Sequence, residues 1–176
     1  MKCNFEEYME SMDRKTEHRE LAADVELLYT LYAEALDDGD IARWPSFFAD
    51  EAPLYRITTR ENVERGMELC FVLCEGQAML RDRAIALQKT VMHRRRIQRR
   101  IMSGVRLLSF DGLDGEGVKA RATFAVFEAM GDDPSKLLAC GRSTDVIVRQ
   151  GGELKFKDRL CVVDSRVMPD SIVFPI

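Results

Sequence analysis

The chain has 176 residues, a length that suits one globular domain rather than two. Hydrophobic residues make up 46% and charged residues 32% of the sequence, which is typical of a folded protein and not of a disordered or membrane-spanning one. The net charge of −4 argues against a protein whose main task is to bind a nucleic-acid backbone. The longest apolar run, residues 69–74, is too short for a membrane span, and the charged N-terminus does not resemble a signal peptide. We therefore expect a cytoplasmic protein that binds neither membranes nor nucleic acid.

The N-terminal half has the hydrophobic periodicity of helices. Residues 1–17 are highly charged and are predicted to be an N-terminal extension, followed by a single domain over residues 18–176. Apolar residues then recur in steps of four and three, at Leu21, Val25, Leu28, Tyr32 and Ala35. This spacing predicts one face of a helix that ends near Gly39. A short helix is predicted around Trp44, a strand at 54–58 and a helix at 77–89, whereas residues 61–75 fit a loop, a strand or a helix equally well.

The C-terminal half alternates between apolar and polar residues. Strands are predicted at 105–110, 118–126, 137–149 and 154–163, and a Gly-Gly turn joins the last two. Helices first and an antiparallel sheet afterwards indicate an α+β domain. We expect the N-terminal helices to pack inside a strongly curved sheet.

The sequence offers few ligands for a redox metal. Five cysteines are an odd number and fit reduced thiols better than a disulfide framework. A Rieske cluster needs two cysteines and two histidines, but His18 and His93 are the only histidines and neither follows a cysteine closely. Cys70 and Cys74 lack a second half-site for zinc and are interpreted as buried structural thiols. We expect no metal or cofactor site in this chain.

Three residues are candidates for acid–base chemistry. Strict alternation along residues 154–162 puts Asp158 on the apolar face of its strand, and Asp145 invites the same interpretation. A carboxylate inside the fold can act as a general base, with the Tyr55 hydroxyl as a donor to a carbonyl oxygen. The alternatives are a salt link to an arginine, or a β-bulge that turns Asp158 outward.

Residues 93–100, with the sequence HRRRIQRR, form the strongest local charge feature. Nucleic-acid binding, a solvated face and a contact with carboxylates of another subunit are all compatible with such a run. We favour the subunit contact, with arginines 94–100 and parts of the sheet edge as the contact residues. The apolar residues 172–176 are expected to be buried, either in the chain's own core or against a partner.

Several short motifs occur in a characteristic order along the chain. In the first half these are ALDDGD at 35–40, Trp44, FFAD at 47–50 and YRI at 55–57. They are followed by EN at 61–62, RG at 65–66, CEG at 74–76, MLRDR at 79–83, GR at 141–142 with Asp145, KFKDR at 155–159 and DS at 164–165. From about Leu21 to the C-terminus, this order resembles the β (small) subunits of bacterial aromatic-ring-hydroxylating dioxygenases, especially the branch that acts on aromatic carboxylates.

The resemblance implies a nuclear transport factor 2-like (cystatin-like) cone, with three helices enclosed by a curved, largely antiparallel sheet. It also implies a non-catalytic structural subunit that stabilises a catalytic α subunit in an α3β3 hexamer, with trimeric self-association. The Rieske [2Fe–2S] cluster and the mononuclear Fe(II) are then expected in the α subunit. Where many relatives have Arg-His this chain has Arg99-Arg100, so no role of that histidine applies here.

A second hypothesis assigns a different class of function to the same fold. A free-standing lyase or isomerase would use Asp158 or Asp145 as the base and Tyr55 as the hydrogen-bond donor. The state of the cone interior distinguishes the two hypotheses, because an enzyme needs an open pocket there.

Overall fold

The computed structural model describes residues 5–89, 96–108, 117–168 and 172–176, and for residues 5–14 only the backbone. Three helices and a 3₁₀ turn precede most of the sheet. They are α1 (Phe5–Asp37), the 3₁₀ turn (Trp44–Phe47), α2 (Arg60–Glu64) and α3 (Gly76–Lys89). None of the described helices is long and apolar enough to cross a membrane.

Helix α1 begins earlier than the periodicity predicts. Its backbone is helical from Phe5, so most of residues 1–17 continues the helix, and the domain boundary at residue 18 stays a prediction. The predicted apolar stripe is confirmed, because all five of its residues are buried. The helix ends as predicted: Gly39 has a φ of 79°, and the Asp40 amide donates to the Ala35 carbonyl at 2.8 Å.

Six strands form one sheet in the order β2-β1-β6-β5-β4-β3. Their ranges are β1 (Leu54–Thr59), β2 (Val72–Glu75), β3 (Arg96–Leu107), β4 (Val118–Met130), β5 (Lys136–Gln150) and β6 (Glu153–Val163). All neighbours are antiparallel except β1 and β6, which run parallel. The predicted α+β cone with a curved, largely antiparallel sheet is confirmed. The ambiguous residues 61–75 contain both α2 and β2, joined by a loop.

Strand β3 starts nine residues before its predicted position, inside the arginine run. Alternation in the sequence does not reveal the start of β3, because its polar residues face inward and its apolar residues face outward. Gln98 and Arg100 point inward and are buried, while Ile97 and Ile101 are exposed. The inward side chains of Gln98 and Arg100 have hydrogen-bond partners. The Arg100 guanidinium contacts Asp37 Oδ1 at 2.6 Å and the Pro175 carbonyl at 2.6 Å, and Gln98 donates to Glu128 Oε2 at 3.1 Å.

The free edge of β3 is held by the end of α1. The Arg100 backbone amide donates to Asp37 Oδ2 at 2.9 Å, and the Arg99 side chain donates to the Asp37 carbonyl at 3.1 Å. Since an exposed edge strand invites pairing with other chains, this contact also covers part of a vulnerable edge. Arg100 therefore belongs to the fold, and the prediction that it contacts a partner is wrong.

A β-bulge in β6 decides which residues face the interior. Val146 lies opposite Asp158, but the next residue of β5, Ile147, lies opposite Phe156, so Lys157 is the extra residue. The bulge shifts the alternation by one position. Phe156 and Arg159 consequently face inward, and Asp158 faces outward.

Replacing Gly141 with alanine should destabilise the sheet. An added Cβ would lie 2.0 Å from the Val162 carbonyl oxygen and 3.0 Å from the Phe124 ring, so the strands must move. We expect a loss of about 3 kcal/mol, or about 10 °C in the melting temperature. Thermal unfolding by circular dichroism measures it, with Ser103→Ala on the outer face as the control. An unchanged melting temperature for Gly141→Ala would contradict this packing.

Candidate functional site

The polar residues of the cone interior come from three elements. Asp145 on β5 lies directly opposite Arg159 on β6, and Ser143 is two residues before Asp145 on the same face. Tyr29 of α1 reaches the pair from above the sheet. All four residues are fully buried, with an exposed fraction of 0%. In this ion pair neither side chain is exposed to solvent.

One carboxylate oxygen receives three donors. Ser143 Oγ donates to Asp145 Oδ2 at 2.8 Å, Arg159 Nη1 donates at 3.0 Å, and the Tyr29 hydroxyl donates to the same atom. Among the described residues, Asp145 Oδ1 and the Nε and Nη2 atoms of Arg159 have no hydrogen-bond partner. The carboxylate is therefore neutralised through one oxygen, by an arginine that is itself only partly hydrogen-bonded.

Three aromatic rings surround the Arg159 guanidinium, which has few hydrogen bonds. Its guanidinium carbon lies 4.5 Å from the centroid of the Tyr32 ring, 4.6 Å from that of Phe156 and 5.2 Å from that of Tyr29. A cation over an aromatic face is attracted by the ring quadrupole, by about 2 kcal/mol when the contact is desolvated. Arg159 is thus held by one carboxylate and three rings.

The remaining interior is filled by the C-terminal residue and more aromatic side chains. Ile176 is buried; its amide donates to the Tyr55 hydroxyl at 2.8 Å, and its carbonyl accepts from the Tyr32 hydroxyl at 2.9 Å. Trp44 Nε1 donates to the Tyr32 hydroxyl at 3.0 Å. The prediction that the apolar residues 172–176 are buried is confirmed for Pro175 and Ile176, within the chain's own core.

Burial sets the protonation of the interior groups. Desolvation raises the pKa of the Asp145 carboxyl, although Arg159 opposes that shift. Desolvation also raises the pKa of Tyr32 to about 12 and that of the Cys161 thiol to about 12, and it raises the pKa of Tyr55 well above its ordinary value. The two tyrosines and the thiol are therefore neutral at physiological pH and serve as hydrogen-bonding or packing groups.

The structure does not bring the three predicted acid–base residues together. Asp145 and Tyr55 are both interior, but Asp145 is bonded to Tyr29, Ser143 and Arg159, while Tyr55 is bonded to Ile176. Asp158 is on the opposite face, where its carboxylate binds Arg56 at 2.8 Å in a half-buried pair. Strict alternation misplaced Asp158; the alternative of an outward-turning bulge is the one observed.

Sequence reasoning missed Arg159 and Tyr29. Each had a signal: Tyr29 follows Val25 by four residues on the predicted apolar stripe, and Arg159 precedes the inward Cys161 by two. Charged residues are almost never buried without a partner, and the alternation of β6 alone does not show that Asp145 is the partner of Arg159.

The described residues do not supply a ligand set for either iron centre. No group of three or more His, Cys, Asp or Glu residues among them is arranged to hold a metal ion. His18 is exposed on α1, and His93 lies outside the described residues. Cys74 is buried as expected, whereas Cys70 is half-buried, and burial raises the pKa of both thiols.

The chain has counterparts among known proteins. The chain is 26% identical to the anthranilate 1,2-dioxygenase small subunit of Burkholderia cepacia, over 94% of this chain and 100% of that protein. It is 28% identical to a β subunit of the terminal oxygenase component of terephthalate 1,2-dioxygenase from Comamonas sp, over 82% of this chain and 92% of that protein. The chain matches no protein-family model.

A solved structure agrees with the sequence relatives. The β subunit of a candidate aromatic-ring-hydroxylating dioxygenase from Novosphingobium aromaticivorans superposes with a TM-score of 0.79 at 26% identity, covering 90% of this chain and 98% of that one. The predicted resemblance to the small subunits of aromatic-ring-hydroxylating dioxygenases is confirmed.

Removing the charge of Asp145 should destabilise the protein far more than removing that of Asp158. Asp145→Asn leaves Arg159 buried without a counter-charge and should cost about 3–5 kcal/mol, whereas Asp158→Asn breaks a half-exposed pair and should cost at most about 1 kcal/mol. Urea unfolding measures both. In the double variant Asp145→Asn/Arg159→Met, part of the lost stability should return, because no unpaired charge remains. Equal losses for the two single variants would contradict the assigned faces.

The free energy of unfolding should fall steeply above about pH 9–10. Tyr32, Tyr55 and Cys161 have raised pKa values in the folded protein, so the unfolded chain loses their protons first as the pH rises. Each such group lowers the free energy of unfolding by up to about 1.4 kcal/mol per pH unit in that window.

Urea unfolding at several pH values between 8 and 11 measures this slope. Tyr55→Phe should reduce the slope by about one proton, whatever its effect on stability at neutral pH. A slope that is the same in Tyr55→Phe and in the original chain would show that Tyr55 does not titrate with unfolding.

Proposed function

We propose that this chain is the non-catalytic small subunit of an aromatic-ring-hydroxylating oxygenase and stabilises a larger catalytic subunit. The observation that carries the proposal is the closed interior. Asp145 and Tyr55, the interior base and donor of the lyase or isomerase hypothesis, each have an exposed fraction of 0%, so within the described part of the chain no cavity that admits water touches them. Asp158, the other candidate base, faces outward in its pair with Arg56. The full-length similarity to small subunits of anthranilate and terephthalate dioxygenases supports the same conclusion.

A structural subunit acts through its surface, and this surface has an exposed apolar region on the sheet. The outer-sheet patch consists of Ile97 and Ile101 on β3, Phe127 on β4 and Leu137 on β5. The register places these residues side by side: Phe127 lies opposite Leu137, and Ile101 lies opposite Ala125. Contiguous exposed apolar residues mark interaction sites on soluble proteins.

A second apolar region surrounds the edge strand β2. The edge patch consists of Val63, Leu69, Phe71 and Leu73, whose exposed fractions are 49%, 63%, 48% and 43%. β2 is at the opposite end of the strand order from β3. Two separated apolar surfaces fit a subunit with two kinds of neighbour, a larger subunit and other copies of itself, as in an assembly of three large and three small subunits.

The arginine run contributes one described surface residue. Arg99 is exposed, lies opposite Phe127 and borders the outer-sheet patch. Its planar guanidinium can pair with a carboxylate or stack on an aromatic ring of a neighbour. Arg100 is excluded from this role by its buried pair with Asp37.

The chemistry would belong to the large subunit. That subunit would carry the Rieske [2Fe–2S] cluster, the mononuclear Fe(II) and the pocket for an aromatic, carboxylated substrate, and the complex would act in the cytoplasm. The small subunit would contribute a rigid core and the surfaces that hold the assembly.

Tagged chain purified gently from its native host tests the proposal. Size exclusion with light scattering and visible spectroscopy should reveal a large complex that contains a second, heavier chain and iron–sulfur absorbance. A colourless homo-oligomer without a heavier chain would contradict the proposal.

The substitutions Ile101→Glu and Leu73→Glu should each weaken the complex at least about tenfold, since each buries a charge in an apolar contact. Ile85→Glu, at an exposed apolar position of α3, is the control and should leave assembly unchanged.

A further inference from the structure

The outer face of the sheet also contains a cleft that none of the outer-sheet patch residues lines. It has a volume of about 240 Å³ and opens between β4, β5 and the start of α2. Its polar lining consists of Arg60, Arg121, Thr123, Arg142, Thr144 and Asp164. Nothing in the proposed structural role requires a cleft of this composition.

Strand register sets the arrangement of the cations. Arg121 lies opposite Thr144, and Thr123 lies opposite Arg142, so the two arginines and the two threonines alternate across β4 and β5. Diagonal neighbours on an antiparallel pair are about 7–8 Å apart, within reach of long side chains. On the other side of β4, Arg106 lies opposite Arg121.

Arg121 and Arg142 have no counter-charge among the described residues. Arg60 is paired with Asp164, the one carboxylate that the described lining of the cleft contains. Among the described residues, neither Arg121 nor Arg142 has an ion-pair partner, and Arg121 Nε is buried without a hydrogen bond. Like charges at directly opposed positions, such as Arg106 and Arg121, destabilise a sheet. Within the described part of the chain, positive charge without an ion-pair partner is thus concentrated at this cleft.

We propose that this cleft is a binding site for an oxyanion, a carboxylate or a phosphate group. Two guanidinium groups can each present a planar pair of N–H donors to the anion, and the hydroxyls of Thr123 and Thr144 add two further donors. The anion removes the repulsion among Arg106, Arg121 and Arg142 and satisfies the buried Arg121 Nε. The ligand is either a free small oxyanion or a carboxylate side chain of the large subunit, and only the second source rests on the proposed function.

Inorganic phosphate is the probe for the first source. At constant ionic strength, with chloride as the exchange anion, phosphate should raise the melting temperature of the purified full-length chain saturably. Arg121→Gln and Arg142→Gln should each weaken phosphate binding about tenfold or more, as expected for lost charge-assisted hydrogen bonds. Arg149→Gln removes an exposed arginine outside the cleft, paired with Asp24, and should leave phosphate binding unchanged.

The binding proposal and a merely structural role for Arg121 predict different melting temperatures. If Arg121 is a binding residue, Arg121→Gln without phosphate should melt at the same or a higher temperature than the original chain, since it relieves repulsion with Arg106. Arg121→Lys keeps the charge without the planar fork and should bind phosphate more weakly than the original chain. A lowered melting temperature of Arg121→Gln without phosphate, together with phosphate binding equal to that of the original chain, would overturn the proposal.

Assembly with the large subunit tests the second source. If phosphate has no effect, Arg121→Gln/Arg142→Gln should weaken co-assembly about tenfold or more while Arg149→Gln does not. If neither phosphate binding nor co-assembly depends on the two arginines, the cleft is not an oxyanion site. If the original chain binds no large subunit, the proposed function is wrong. The phosphate experiment alone then tests whether the cleft binds an oxyanion.

Discussion

The ion pair between Asp145 and Arg159 is the contact on which the interior depends. An isolated charge in a protein core costs several kcal/mol, so each of these residues is tolerable only while the other is in place. They lie directly opposite each other on β5 and β6, and the Tyr29 hydroxyl ties the same carboxylate to α1. One buried carboxylate oxygen thereby fixes the register of two strands and the position of the helix above them.

The same pair explains why the interior is closed. Arg159 needs aromatic faces as well as a carboxylate, and Tyr29, Tyr32 and Phe156 occupy the space around it. A cone of this fold can house a general base only if a substrate can reach the base. Here the side chains that neutralise the charge also fill the volume that a substrate would need.

Much of this fold can be predicted from the sequence, because hydrophobic periodicity and helix capping depend on residues that are close together in the chain. The stripe of α1, its end at Gly39 and the positions of β4 to β6 along the chain required no tertiary information. The errors have one origin: a polar side chain facing inward reverses or shifts the pattern. Arg100 and Gln98 hide the start of β3, and the bulge at Lys157 moves Asp158 outward and Arg159 inward. Pairing across strands decides both cases, and no single segment carries that information.

On the outer face of the sheet, the residue types change along the strands from apolar to positively charged. On β3 the outward-facing residues change from Ile97 and Ile101 to Arg106, and on β4, read in the opposite direction, from Phe127 to Arg121. Apolar contact supplies affinity without direction, whereas charge complementarity penalises wrong orientations. A neighbour that covered both regions would bury the apolar end only when it brought carboxylates to the arginine end. Because the strands hold both ends in fixed register, such a surface selects the orientation of its partner as well as the partner itself.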